Sequence, residues 1–294
     1  DQLGHSAADG LVREEARMKK IKDALSWLLI NVPIMLLSIT CIFPVVWLGY
    51  SSLKTATEFN LNSFSLPAAL NFENYRKAFE TAKFDVYLFN SAFNSFISLA
   101  LVLLFTFVVG YLLSRYRFRG RAVVYGVFLA GILVPVYALI VPMFILFKGV
   151  GLLNTRITLL FPYIAFELPI AIFLVDSYVK GISKEMEDAA AIDGAGMLRT
   201  MFTIILPICR PVLSTVVILA FMHTWNEFPF AQMLVMKAAY KTVPVGLTSF
   251  TSQFSVDYTL LMAALAMATL PVVVIYTLFY KKIMQGMMAG AVKG

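Results

Sequence analysis

Residues 183–211 read SKEMEDAAAIDGAGMLRTMFTIILPICRP, a polar and partly acidic island in a very apolar chain. Ser183 is placed to cap a helix. Glu185, Glu187 and Asp188 then fall in or near its first turns, where acidic side chains suit the helix dipole. Ala189, Ala190 and Ala191 are strong helix formers with almost no side chain, so another surface can approach the backbone closely. Gly194 is the residue type that stops a helix in a left-handed conformation. A second helical run follows and meets Pro207 and Pro211. The expectation is a short helix, a glycine turn and another helix lying between two membrane spans. The competing reading is an ordinary surface helix-turn-helix.

The surrounding composition decides the class. The 294 residues are 60% hydrophobic and only 14% charged, with a mean hydropathy of +0.81. A soluble domain of this size does not carry so much apolar residue, so the fold class is an all-α polytopic membrane protein. The net charge of +7 is therefore read by location, not as a nucleic-acid signal. Cys41 falls in an apolar run and Cys209 near the end of the 183–211 stretch, which argues against a disulfide framework or a metal site. The first apolar run is too long for a signal-peptide core and is expected to stay as an anchor. The chain begins at Asp1 without Met, and its start is expected further upstream.

Six spans are expected, at about 25–50, 89–114, 122–147, 157–178, 212–236 and 259–280. They form one six-span domain over 25–294, preceded by a polar cytoplasmic segment, 1–24. That segment carries a weak helical stripe with a Glu15–Lys19 pair. Residues 51–88 read as an outside loop with one short helix, and Lys237–Tyr258 as a second outside loop. The island belongs to a loop over 179–211. Six spans put both termini on one side, and 16 of the 24 Lys and Arg residues lie on that side. The bias places the termini, the basic turn Arg115–Arg121 and the 179–211 loop in the cytoplasm.

Polar groups inside the spans are candidates for a path. Glu167 lies mid-span, two residues before Pro169, and the fifth span contains His223, Trp225, Asn226, Glu227, Phe228 and Pro229. A carboxylate facing lipid is costly, so Glu167 and Glu227 are expected to face the bundle or a water-filled path. Pro169 and Pro229 would each free a carbonyl one turn upstream. Sugar rings have apolar faces and hydroxyl edges, which suit Trp225 and Phe228 beside carboxylate and amide groups. The alternative for each is an interhelical hydrogen bond, and His223 is read as structural. The chain has no phosphate-binding loop of the G-x-x-x-x-G-K-[ST] type, no H-E-x-x-H and no G-x-S-x-G. No catalytic residue, cofactor or metal is expected in it.

The island resembles the cytoplasmic coupling loop of ABC importer permeases: Glu-Ala-Ala, three residues, Gly, nine residues, Ile-x-Leu-Pro. The matching positions are Asp188, Ala189, Ala190, Gly194, Ile204, Leu206 and Pro207. Asp188 replaces the glutamate, which keeps the charge and shortens its reach. Trp225-Asn226-Glu227-Phe228 is similar to the Trp-Asn-(Asp/Glu)-Phe signature of the carbohydrate-uptake, maltose-type permeases. Further matches include Asn71–Tyr75, Tyr111–Gly120, Thr242–Leu247 and the tail from Gly286. Without a long insertion in the second outside loop, the chain looks like the shorter of that family's two permease subunits.

The resemblance implies a type I ABC importer permease fold with a cytoplasmic coupling helix, in a bacterial inner membrane. It implies a homologous permease partner in a heterodimer, two ATPase subunits that carry ATP and Mg, and an extracytoplasmic solute-binding protein. Carbohydrate is the implied substrate, oligosaccharide the expected class. Glu187, Asp188, Ala189, Ala190, Asp193, Gly194, Ile204, Leu206 and Pro207 would couple to the ATPase. Trp225, Asn226, Glu227, Phe228 and Glu167 would line the path. Two other readings stay open: an ion-coupled secondary transporter using Glu167 and Glu227 as proton carriers, and an ABC permease for a non-sugar solute.

Overall fold

A computed structural model describes residues 2–250 and 257–291, with side chains described at 18–19, 22–80, 83–250 and 257–280. The described residues form helices and turns without strands. The chain divides into two units, residues 1–71 and 72–294.

The first unit is dominated by α1 (Gln2–Ser51), which runs unbroken through Pro33 and Pro44. Its apolar part, Lys22–Ser51, is long enough to cross a membrane. The Glu15–Lys19 pair falls outside the described side chains. After α1 comes α2 (Ala56–Leu61), opened by a full capping box in which Thr55 and Glu58 bond each other's backbone N–H. The Lys54 ammonium is buried and donates to the carbonyls of Asn62 (3.2 Å) and Ser63 (2.9 Å).

The second unit begins with α3 (Glu73–Ala82). With α2, that makes two short helices where one was expected between the first two apolar runs. Next is α4 (Phe84–Arg115), which starts five residues earlier than the sequence suggested. Then follow α5 (Arg121–Leu133), a 3-10 turn at Val136–Leu139 and α6 (Ile140–Gly149). The expected third span is thus broken, with a bend of 96° between its two halves. Pro135 explains the break: it has no N–H to donate, and it drives Val134 into an extended conformation.

α7 (Leu160–Lys180) carries Pro169 inside it. The loop helix α8 (Glu185–Ile192) is followed by α9 (Met197–Arg199), a π-helical turn at Thr200–Ile205 and α10 (Leu206–Ile208). Pro207 cannot donate to the preceding turn, and the backbone widens just ahead of it. A 75° bend then leads into α11 (Arg210–Asn226).

The expected fifth span stops at Asn226, ten residues early. Glu227 is extended, and Pro229 begins a new helix, α12 (Pro229–Leu234). Pro229 therefore frees no carbonyl by kinking a span; it sits in a first turn, where a missing N–H costs nothing. A short α13 (Val243–Leu247) precedes α14 (Tyr258–Ala291), which outlasts the expected sixth span by eleven residues. Among the described residues, four helices are long and apolar enough to cross a membrane, and six spans result if each bent pair counts as one.

α4 packs most extensively on α7, and α11 packs on both α4 and α14. Glycine makes the first contact close. A Cβ on Gly110 would lie 2.8 Å from Val175 Cγ1 and 3.3 Å from the Asp176 amide, so the two backbones meet where a side chain is missing. The largest buried cluster joins Val102, Phe107 and Tyr111 of α4 with Val175 and Val179 of α7, Ile205 of the π turn and Val216 of α11. This core clasps the base of the 179–211 loop.

Candidate functional site

Two parts of the second unit bring together polar residues of this apolar chain. The first is a cavity of about 680 Å3 between α7 and the α11–α12 break. Glu167, Asn226, Glu227 and Phe228 all border it, as do Tyr137, Tyr163, Phe166 and His223.

Glu227 is fixed by its own chain. Its carboxylate accepts the N–H of Phe230 at 2.7 Å and of Ala231 at 3.0 Å, so it caps the start of α12. The Tyr163 hydroxyl of α7 donates a third bond at 3.1 Å. Glu167 is held differently. His223 Nδ1 lies 2.8 Å from its Oε1, but the His223 side chain is 64% exposed while Glu167 is 12% exposed. The imidazole thus stands between a sheltered carboxylate and the open cavity. Asn226 is exposed and spends one amide N–H on the Met222 carbonyl, 2.8 Å away. Phe166 packs on Phe230 at 5.1 Å and Tyr137 stacks on Phe230 at 6.4 Å, giving the cavity an aromatic wall.

Trp225 does not border this cavity and corrects the expectation from sequence. It is 4% exposed, stacks on Phe221 at 5.4 Å, and donates its indole N–H to the Ala268 carbonyl of α14 at 3.1 Å. One helical step separates it from Asn226, and that step turns it into the α11–α14 interface. Tyr163, Tyr137 and Phe166 were missed, because aromatic residues in apolar runs give no sign of which wall they face. His223, read as structural, is paired and also borders the cavity.

The second part is the 183–211 loop. α8 ends in a complete Schellman stop: the Ala195 N–H bonds the Ala190 carbonyl at 2.9 Å, and the Gly194 N–H bonds the Ala191 carbonyl at 3.0 Å. Gly194 has φ +77°, where an L side chain is strained. Ser183 lies one position before the N-cap and accepts the Glu185 N–H at 3.3 Å.

Glu187 turns inward, whereas the sequence put it among the partner-facing residues. Its carboxylate pairs with the Arg115 guanidinium and accepts the Tyr111 hydroxyl at 2.9 Å. Arg115 also donates to the Ile182 carbonyl at 2.8 Å. The pair is largely shielded, with Arg115 6% and Glu187 16% exposed. Two donors at the end of α4 claim a carboxylate that the spacing alone left free. Ala190 is buried, and Ile204 and Leu206 pack onto the core. The outward surface is formed instead by Asp188, Ala189, Asp193, Gly194 and Ile192, the last 87% exposed.

Residues 106–288 match the family described as "Binding-protein-dependent transport system inner membrane component". The chain is 35% identical over 252 residues to the diacetylchitobiose uptake system permease protein NgcG of Streptomyces coelicolor, covering 85% of this chain and 83% of that one. It is 32% identical over 277 residues to the trehalose/maltose transport system permease protein MalG of Thermococcus litoralis, covering 93% and 99%. Among solved structures, a chain of a bacterial ABC transporter involved in the import of the acidic polysaccharide alginate superposes with a TM-score of 0.79 at 22% identity, covering 89% of this chain and 98% of that one. That likeness is one of fold. With the family match spanning well over half the sequence, the chain belongs to the binding-protein-dependent transport system inner membrane components.

Proposed function

We propose that this chain is a membrane subunit of a binding-protein-dependent ABC importer for carbohydrate, with oligosaccharide as the substrate class. In this reading six spans cross the inner membrane, both termini and the 179–211 loop lie in the cytoplasm, and α8 is the coupling helix. The chain pairs with a homologous permease, and two separate subunits bind and hydrolyse ATP with Mg. A solute-binding protein delivers the sugar on the opposite side.

The observation that carries the proposal is the built form of the loop. α8 is terminated at Gly194, tied to α4 through Glu187, and presents small and apolar groups outward at Ala189 and Ile192. A neighbouring subunit can seat on that surface without displacing an internal bond. Movement of α8 then passes to α4, which holds it through Arg115 and Tyr111, and on to α7, which packs on α4 and borders the cavity. Diacetylchitobiose and trehalose/maltose in the names of relatives support a sugar substrate. The aromatic wall with a carboxylate, an imidazole and an amide supports it too, since a sugar offers an apolar ring face and hydroxyl donors together.

The test is ATP hydrolysis by the complex isolated from native membranes through a tag on this chain. Its binding protein and a panel of oligosaccharides would be added in turn. Stimulation by one sugar is the expected result. Transport in liposomes by a preparation without ATPase would overturn the ABC reading and turn attention to Glu167 and Glu227 as proton carriers. Gly194→Arg is expected to separate hydrolysis from uptake while insertion in the membrane is kept.

A further inference from the structure

A second cavity, of about 630 Å3, opens where the end of α4 turns into α5 beside the end of α7. Arg117, Phe118, Gly120, Arg121, Tyr125 and Lys180 border it. Its charge is one-sided, with no carboxylate among the described residues that line it. Arg117 has neither an ion-pair partner nor a hydrogen bond among the described residues. Arg121 spends only Nε, on the Leu113 carbonyl at 2.8 Å, which leaves its terminal nitrogens available. Lys180 is the exception: it donates to buried Asp176 at 2.6 Å and lies over the Tyr125 ring at 5.3 Å. The remaining excess charge comes from the two arginines.

The backbone adds donors at the same place. Gly120, at φ +88°, turns the chain into α5. The Arg121 N–H bonds the Phe118 carbonyl and the Val124 N–H bonds the Gly120 carbonyl. Between them the N–H groups of Ala122 and Val123, two residues that also border the cavity, take no carbonyl among the described residues. Two guanidinium groups and the amides of a helix start form a donor set suited to a phosphate group. Phe118, Val123 and Val127 are exposed apolar groups alongside it.

We propose that this cavity binds the phosphate of an anionic phospholipid, with the acyl chains lying along the exposed face of α5. The donor set selects the phosphate, and the apolar lane beside it selects a lipid over the free ion. Its placement in the cytoplasmic leaflet rests on the orientation given under Proposed function. Arg117 lies two residues beyond Arg115, so the lipid would sit on the same turn that holds the loop helix.

The test is native mass spectrometry of the assembled transporter, loaded with phosphatidylglycerol or with phosphatidylcholine. Preferential retention of phosphatidylglycerol is expected, and Arg117→Ala should lower that retention about fivefold. Arg117 makes no hydrogen bond or ion pair among the described residues, so this variant should fold as the parent does. Arg119→Ala, which changes a neighbouring arginine outside the cavity wall, should leave retention unchanged. Equal retention of the two lipids would overturn the proposal. So would equal losses in the two variants, which would mean diffuse surface charge. Excess inorganic phosphate that displaces phosphatidylglycerol completely would assign the site to the free ion and overturn the lipid assignment. Sugar-stimulated hydrolysis is a separate readout, so either proposal can fail while the other stands.

Discussion

Glu187 and Glu227 are both carboxylates in a mostly apolar molecule, and each accepts a tyrosine hydroxyl from a packed helix. Their remaining partners differ. Glu187 meets a guanidinium from another helix, while Glu227 meets two amides just downstream in its own chain. The first arrangement joins segments more than seventy residues apart, so it holds a loop to the body of the protein. The second shapes a local break between α11 and α12. Under the coupling role proposed for α8, the difference separates a joint that passes on movement from a corner that keeps its form. Glu167 belongs to neither type, since its partner is an exposed imidazole on the cavity wall.

The sharpest way to break this comparison is Glu187→Ala. It leaves the shielded Arg115 guanidinium without its carboxylate, at a cost of about 3–5 kcal/mol. Uptake should be lost and the melting temperature should fall. The exchange Arg115→Glu with Glu187→Arg should recover part of both, and a double variant no better than Glu187→Ala alone would show that the pair does not act as a joint. Next in size is Glu227→Ala, which strands two amides and a hydroxyl and should cost about 1–3 kcal/mol. If Glu227 is a corner, hydrolysis per sugar transported stays at the parental ratio while thermal stability drops. A changed ratio would make it a joint as well.

Gly194→Ala is subtler. A Cβ there would meet nothing within 4 Å, so the strain comes from φ alone and should amount to about 1 kcal/mol. A modest loss of coupling with normal membrane insertion is expected, to be read as uptake against hydrolysis. The smallest effect on stability should come from His223→Ala, because the imidazole is exposed. Its effect should appear as an altered preference among neutral and charged sugars in the uptake assay. An unchanged substrate profile would remove the Glu167–His223 pair from the path.

Local chemistry was legible in the sequence. The apolar composition announced the helices, and the spacing from Asp188 to Pro207 announced the loop. Gly194 announced its own left-handed turn, because a single backbone angle decides it. Partners distant in sequence were not legible. Nothing near Glu187 points to Arg115 or Tyr111, and nothing near Glu227 points to Tyr163. Trp225 shows the same limit: its place against Ala268 depends on how α11 lies on α14. The break at Val134–Pro135 was a local signal that the run of apolar residues concealed, since hydropathy counts residues and ignores a missing N–H.

The close approach at Gly110 has a mechanical consequence. At about 1.5 Å per residue, Arg115 lies roughly 7.5 Å from Gly110 along α4, and Phe84 lies about 39 Å away in the other direction. If the tight contact with Val175 serves as the fulcrum, α4 is a lever with a short arm at the loop and a long arm about five times its length. An ångström of travel at the Arg115 end would swing the Phe84 end by about 5 Å, so a small stroke can become a large opening.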